Sequence, residues 1–370
     1  MPEIICRGCG GVVDTTGIDP FTICECSDCG TELIIPFQLD YLLLEKHIGR
    51  QSCFDIYEGF DKSTGTVSQI LVLDTEIPDY DALLAIAKQE ANNLFSLKHP
   101  NIAPVLGADE IMGNFCVVTP LIDGYNLSDY NPQEQGFLDI DSVLDVLQAA
   151  ALGLAVAHDK EFIHHNLCPD NIRIDARGNV RVTNFFLSRF IYLADQKTNK
   201  AAEVIKCDPY VSPYFISPEK AESGVEDKRG DVFSFGVTMY YMLTGQYPFA
   251  GTNAVETVYS RVKKKHKKEE EVFNEAATRF ITPETVDYVP PKHPSVIRPE
   301  IPAETDALIM DMLSYLPVKR PKFTEILAIF NLLRAEKNKK ETVVAAQQKM
   351  VTTTTRAIPK MGNLSKKKKF

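Results

Sequence analysis

No stretch of this 370-residue sequence sustains apolar residues over the ~18–20 positions that a membrane-spanning helix needs, so no membrane span is expected. The opening residues, Met-Pro-Glu-Ile-Ile-Cys, lack both the basic start and the apolar stretch of a secretory signal. No internal repeat is visible, which argues against solenoids and propellers. Positive charge is also short: 40 Lys and Arg face 50 Asp and Glu, for a formal net charge of −10. The shortage is uneven. From Arg334 to Phe370 eleven Lys/Arg meet two Glu, so this segment carries +9 and the remaining body −19. An acidic body repels phosphate, and nucleic acid is not expected as a partner.

What is present suits a soluble globular chain of two or three units, with 44% hydrophobic and 24% charged residues. Five of the nine cysteines fall within residues 1–36. Cys6-Arg-Gly-Cys9-Gly10 and Cys26-Ser-Asp-Cys29-Gly30 are two C-x-x-C-G turns, 16 residues apart. The two-residue spacing lets both thiolates of a turn face one ion, and the glycine after each turn permits the positive φ of a tight knuckle. Four thiolates suit structural Zn²⁺ at Cys6, Cys9, Cys26 and Cys29; iron in a rubredoxin-like site and a redox dithiol are the alternatives. Cys24 is a spare thiol, outside the ligand set. Some thirty residues cannot fold on burial alone, so the metal would supply the unit's stability. Reduced cysteines of this kind point to the cytoplasm.

Beyond the cysteine module the pattern changes twice. Short apolar or alternating runs at 41–45, 54–60, 67–73 and 115–119 read as strands, interrupted by one amphipathic helix at 81–97. After Leu121 the chain turns helical: 142–158 and 232–243 are apolar on most of their circumference, while 305–313 and 324–334 are amphipathic. The charged run 263–271 reads as a solvated helix face. Residues 335–370, with a threonine run and lysines at 366–369, read as a flexible basic tail with an anionic partner as its candidate ligand. The expected organisation is a zinc ribbon (1–36), a β-rich lobe of five strands and one helix (37–120), a helical lobe (121–334) and the tail (335–370), an α+β bilobal arrangement.

Residues 41–334 resemble the eukaryotic-type Ser/Thr protein kinases, including their bacterial members. The resemblance rests on ordered landmarks. His99-Pro100-Asn101-Ile102 matches the H-P-N-I after the αC helix, with Glu90 at the αC glutamate. His164-His165-Asn166-Leu167-Cys168-Pro169-Asp170-Asn171 matches H-R-D-L-K-P-x-N. Asn184-Phe185-Phe186-Leu187-Ser188-Arg189 matches D-F-G-L-A-R, and Ser217-Pro218-Glu219 matches A-P-E. Asp231-Val232-Phe233-Ser234-Phe235-Gly236 matches D-x-W-S-x-G, and Arg320-Pro321 closes the set. Such a family implies a bilobal fold with ATP and Mg²⁺ between the lobes.

The departures fall on the transfer chemistry. In the family the catalytic-loop aspartate accepts the hydroxyl proton, while the D-F-G aspartate and the catalytic-loop asparagine hold Mg²⁺. Here Asn166 and Asn184 replace the two aspartates, Cys168 replaces the catalytic-loop lysine, and the β3 lysine position falls on Leu71. Asn171 is retained. The glycine-rich loop keeps Gly49 alone, with Gln51 and Phe54 placing side chains where backbone N–H groups approach phosphate. Gln69 would press on the adenine space. Glu90 keeps its place without its lysine partner, as a solvated or locally paired helix residue. His165 replaces the arginine that reads activation-loop phosphate. Cys53, Cys116, Cys168 and Cys207 read as reduced core or groove thiols.

The resemblance implies structural roles for other retained positions: Glu219 and Arg320 as a buried pair, Asp231 as the anchor of the catalytic loop, and His164 and Phe185 with Leu94 and Val105 as a packed column between the lobes. The hinge still offers the Pro120 carbonyl and the Ile122 N–H. From this pattern the expected function is a catalytically inactive pseudokinase, a cytoplasmic scaffold or regulatory module binding another protein, with zinc as its metal and no Mg·ATP. A weak or atypical ATP-binding Ser/Thr protein kinase is the alternative; a zinc-ribbon nucleic-acid adaptor is the second.

Overall fold

A computed structural model describes residues 3–6, 8–198, 212–249, 263–264, 286–287, 290–335 and 339. The ribbon consists of two antiparallel hairpins, β1 (Glu3–Ile5) with β2 (Val12–Asp14) and β3 (Ile23–Glu25) with β4 (Glu32–Ile34). Each knuckle turns through a glycine in the left-handed region, Gly10 at φ 76° and Gly30 at φ 69°. Its apolar cluster consists of buried Cys6, Val13, Cys26 and Leu33, with Ile4 and Cys24 packed beside them. Six side chains make too small a core to hold a fold. Phe21 stacks on Tyr57 of the next unit at 5.6 Å.

The β-rich lobe is one antiparallel sheet of β5 (Phe37–Leu39), β6 (Leu42–Gln51), β7 (Phe54–Asp61), β8 (Thr66–Leu73), β9 (Gly107–Ile111) and β10 (Asn114–Pro120), in the order β5-β6-β7-β8-β10-β9. Five strands were expected and six are found. The extra one, β5, turns back through Asp40 (φ 48°) to pair with residues 42–44. It is held because Leu39, Leu42 and Leu44 bury with Ile70, Ile111, Cys116 and Val118 on one face of the sheet. The opposite face presents Phe54, Ile56, Leu71, Leu73, Phe115 and Val117 to helix α1 (Tyr80–Leu94), which buries Ile86, Ala87, Ala91 and Leu94 against it. Ile70 and Leu71 are neighbours on opposite faces, as a period of two requires.

The second lobe is built on α2 (Ile140–Asp159) and continues through α3 (Phe185–Thr198), α4 (Pro218–Ser223), α5 (Lys228–Thr244), α6 (Ala303–Met312) and α7 (323–335). A small sheet of β11 (Gly124–Asn126), β12 (Ile172–Asp175) and β13 (Val180–Val182) lies beside them. Among the described residues α2 is the one helix long and apolar enough to cross a membrane by length and composition. This qualifies the expectation that no run reaches that length. Its apolar faces are used internally: Val143, Leu147, Ala150, Ala151, Leu154 and Ala157 are buried in the main core. Gly153 is needed there, because a Cβ would sit 2.7 Å from the Asn101 carbonyl oxygen. Helix α5 is buried on all sides, capped by the Asp227 side chain and ended by Gly245 at φ 67°. The charged run 263–271 lies outside the described residues except for 263–264, the tail outside them except for 335 and 339, and Cys207 wholly outside them.

Candidate active site and metal centre

The ribbon brings Cys6, Cys9, Cys26 and Cys29 together, with all four Sγ atoms within 4.8 Å of one another. Cys6 Sγ lies 3.6 Å from Cys29 Sγ, and Cys9 Sγ 3.7 Å from Cys26 Sγ. A tetrahedron with Zn–S bonds of ~2.3 Å has edges of roughly 3.8 Å, so the donor set fits one such ion. Backbone N–H groups support the sulfurs: Gly8 donates to Cys6 Sγ at 3.3 Å and Gly11 to Cys9 Sγ at 3.4 Å. Cys24 packs against the ribbon core outside this cluster. Four protein donors would leave no open coordination position.

The anchoring positions form closed networks. Asp231, in the first turn of α5, accepts from the backbone N–H of His164 (2.7 Å) and His165 (3.0 Å) and from His158 Nε2 (2.8 Å). Burial alone would raise its carboxyl, but the His158 bond and the neighbouring imidazoles hold it well below the usual carboxylate range. His164 is buried and stacks edge-on to Phe185 at 4.7 Å, with Leu94 and Val105 also buried nearby in the core. Burial lowers its pKa to about 4. The neutral ring is satisfied at both nitrogens, Nε2 donating to Thr183 O (2.8 Å) and Nδ1 accepting from Asn166 N–H (3.3 Å). Glu219 and Arg320 form a two-pronged ion pair at 2.6 and 2.8 Å. Arg320 also donates to the carbonyls of Ser314, Arg229 and Tyr315, and its guanidinium lies over Phe233.

At the former arginine position, His165 Nδ1 meets Glu226 Oε1 at 3.2 Å and its ring stacks on Tyr192 at 3.6 Å. Glu226 is buried and is further bonded by Ser217 Oγ and Lys220 Nζ. Burial would raise its carboxyl, yet the Lys220 charge and the His165 bond lower it. These partners occupy the groups that a phosphate would otherwise engage. Gly230 is required beside them: a Cβ would lie 2.1 Å from Glu226 Oε2.

Between the lobes lies a cleft of about 630 Å³. Gln51 and Gln69 line its upper wall together with Leu71 and Val105, Pro120 and Ile122 its hinge side, and Cys168, Asp170, Asn171 and Asn184 its floor. Arg173 staples the hinge, donating to Ile122 O (2.7 Å), Gly124 O (3.0 Å) and Asn126 Oδ1 (3.0 Å). Leu71, paired across the strands with Ile56, is 3% exposed, so an apolar side chain occupies the lysine position. Gln69 is drawn sideways, accepting from Thr119 Oγ1 at 3.4 Å. Cys168 is buried, which pushes its thiol up to about 12 and removes it as a nucleophile; Cys116 is likewise raised to about 12 and Cys53 to about 11.

Asn171 Nδ2 donates to Asn166 O, and Asn184 Nδ2 donates to Asn171 Oδ1, both at 2.8 Å. Asn184 sits at φ 62°, a conformation that asparagine tolerates better than most residues. This bond spends one amide oxygen on the other amide. Among the described residues that line the cleft, Asp170 is the sole carboxylate. Such a set does not form a cage for a resident hard cation, which prefers several oxygen ligands including carboxylates.

Two expectations are corrected above the cleft. Glu90 is neither solvated nor unpartnered: it is 1% exposed and ion-paired with Arg189 of α3. Arg189 also donates to Ile163 O at 3.0 Å and lies over the Phe162 ring. Phe54 does not protrude toward a phosphate site but is fully buried, with Phe186 and Phe190 edge-on to it at 5.5 and 5.0 Å. Both findings follow from a helix that begins directly after Asn184. Its signal was present in the spacing of Phe186, Phe190 and Ala194, which recurs every four residues.

A β-rich lobe joined by a hinge to a helical lobe, with a catalytic-type loop anchored by Asp231, defines a protein-kinase-like fold. The protein kinase domain family matches residues 43–329, and the chain belongs to that family. Among curated relatives it is 28% identical over 220 residues to the probable serine/threonine-protein kinase pknA2 of Bifidobacterium longum, covering 59% of this chain and 28% of that one. It is 27% identical over 224 residues to the serine/threonine-protein kinase PrkC of Bacillus subtilis (58% and 33%), and 32% identical over 180 residues to PknB of Mycobacterium tuberculosis (48% and 28%). The matched region thus spans about a third or less of these relatives. Their names correct the expectation of an inactive scaffold. Relatives named as Ser/Thr protein kinases favour the alternative, an atypical ATP-binding kinase.

Proposed function

We propose that this chain is an atypical serine/threonine-protein kinase of low turnover that binds ATP in the interlobe cleft and takes another protein as phosphate acceptor. The observation carrying the reading is the cleft: an open hinge stapled by Arg173 faces an Asn171–Asn184 amide pair already bonded on the floor. The hinge supplies the Pro120 carbonyl as acceptor and the Ile122 N–H as donor for an adenine edge. Leu71 and Val105 provide apolar walls. In the transfer, the acceptor hydroxyl oxygen bonds to the γ-phosphorus, the bond to the β–γ bridging oxygen breaks, ADP leaves with that electron pair, and the hydroxyl proton passes to solvent water because Asn166 cannot accept it. The transition state is loose, so a missing general base slows the step by ~10²–10⁴-fold without forbidding it. A divalent cation would enter on the nucleotide's own phosphates, since the protein donors do not cage one. The ribbon would hold one structural zinc, and the free cysteines suit a reducing, cytoplasmic setting.

The test is a thermal-shift titration with millimolar ATP and Mg²⁺ or Mn²⁺, run beside incorporation of labelled phosphate into a Ser/Thr-containing acceptor. A saturable shift and slow incorporation abolished by Asn171→Ala are expected. Absence of both in the intact protein would overturn the reading.

A further inference from the structure

The outer face of the second ribbon hairpin carries two cross-strand pairs of different chemistry. Ile23 faces Ile34, and Glu25 faces Glu32, with the inward pair Cys24 and Leu33 between them. Residues 23, 25, 32 and 34 therefore share one face. Ile23 is 63% exposed and Ile34 44% exposed, and both glutamates are exposed. Like charges directly opposite each other on a sheet are unfavourable. Among the described residues no cation lies within ion-pair distance of Glu25 or Glu32. The contrast with the body is plain: Asp74, Glu110, Asp145, Glu161 and Asp175 all have Lys or Arg partners. Residues 1–36 as a whole hold six carboxylates and one arginine.

A ligand that combines clustered positive charge with an apolar side chain would complement this face. The chain itself contains one: lysines 366–369 followed by Phe370, within a segment that carries +9. Position 366 lies 27 residues beyond 339, a maximum reach of about 90 Å, against a radius of gyration of about 20 Å for a globule of this size. We propose that residues 366–370 dock on the Ile23/Ile34–Glu25/Glu32 face of the ribbon in the same chain. Lysine ammonium groups offset the paired carboxylates, and Phe370 covers the two isoleucines.

The test is zero-length carbodiimide coupling of the full-length protein, which joins a carboxylate to an amine only where the two are in contact. Mixing unlabelled with ¹⁵N-labelled protein separates links within a chain from links between chains. Links from Glu25 or Glu32 to lysines 366–369 within one chain are expected. They should fall at least several-fold in the double variant Glu25→Gln, Glu32→Gln and at about 0.5 M salt, where the screening length is roughly 4 Å. In the variant with all four lysines changed to glutamate, the combination Glu25→Lys, Glu32→Lys should restore links of reversed polarity. Links spread evenly over the acidic body, links between chains only, or unchanged links in the Gln double variant would each overturn the proposal.

Discussion

The anchoring sites and the cleft treat charge in opposite ways. Asp231, Arg320, Glu219 and Glu226 are each surrounded by complementary donors or acceptors, and the four ribbon thiols converge on one point. On the cleft side, Leu71, Asn166, Cys168 and Asn184 are neutral where the family carries charge, and Glu90 is engaged by Arg189 instead of a lysine. Buried charges are costly unless paired, so those that keep a partner brace the lobes. The cleft, which faces solvent and nucleotide, carries no such obligation to the fold. Stability and phosphate transfer therefore rest on separable sets of residues.

The sharpest way to break this contrast is in the ribbon. Metal binding to such modules amounts to ~10–16 kcal/mol at neutral pH and is their folding free energy. Cys9→Ser should therefore abolish the ribbon's fold, with zinc by elemental analysis falling from about one per chain to none. The kinase domain should lose little more than the Phe21–Tyr57 stack and melt only slightly lower, because its main core shares no residue with the ribbon's. Next in size is Arg320→Ala. It leaves Glu219 and three carbonyls without their donor and should cost about 3–5 kcal/mol, read as a large drop in the denaturant midpoint. A midpoint that does not move would show that the anchor carries no stability.

Acid should act next, through His164. Its folded pKa of about 4 lies below the ordinary value of 6.5, so the unfolded chain binds more protons between them. The contribution of the neutral ring is present above 6.5 and is lost as pH falls toward 4. The loss amounts to about 2 kcal/mol by pH 5. Protonating Nδ1 would also set it against the Asn166 N–H that it now accepts. Melting temperature should decline from pH 7 to pH 5, and a flat profile would place charge rather than neutrality at this ring. The smallest effect should come from the cleft. Asn184→Asp removes one hydrogen bond to Asn171, costing about 1 kcal/mol, while it should enlarge the metal-dependent response to ATP. A loss comparable to that of Arg320→Ala would erase the distinction between anchor and cleft.

Much of this organisation was legible in residue order alone. The C-x-x-C-G pairs carry their own geometry, because thiol spacing and a following glycine determine which atoms can meet. The landmarks from His99 to Arg320 name Asp231, Glu219 and Arg320 by their positions in a pattern, and in the fold Asp231 bonds the His164–His165 backbone while Glu219 bonds Arg320. Strand and helix periods located β6, β7, β8, β10, α1, α2 and α5 to within a few residues, with β6 running well beyond its expected end. Three points were not legible. Strand β5 is three residues long, too short for a period of two to register, and it forms because a second face of the sheet needed covering. Glu90 finds Arg189 across 99 positions, a pairing that exists only because α3 packs on α1. Phe54 read as an obstacle to phosphate, yet which way a side chain points depends on what packs beside it, and here Phe186 and Phe190 draw it into the core. Sequence by itself determined the fold, the thiol cluster and the identity of the residues in the cleft, because local spacing and ordered motifs encode them. Tertiary structure alone decided where the displaced charges and aromatic rings went, because burial and pairing are settled between segments that the chain keeps far apart.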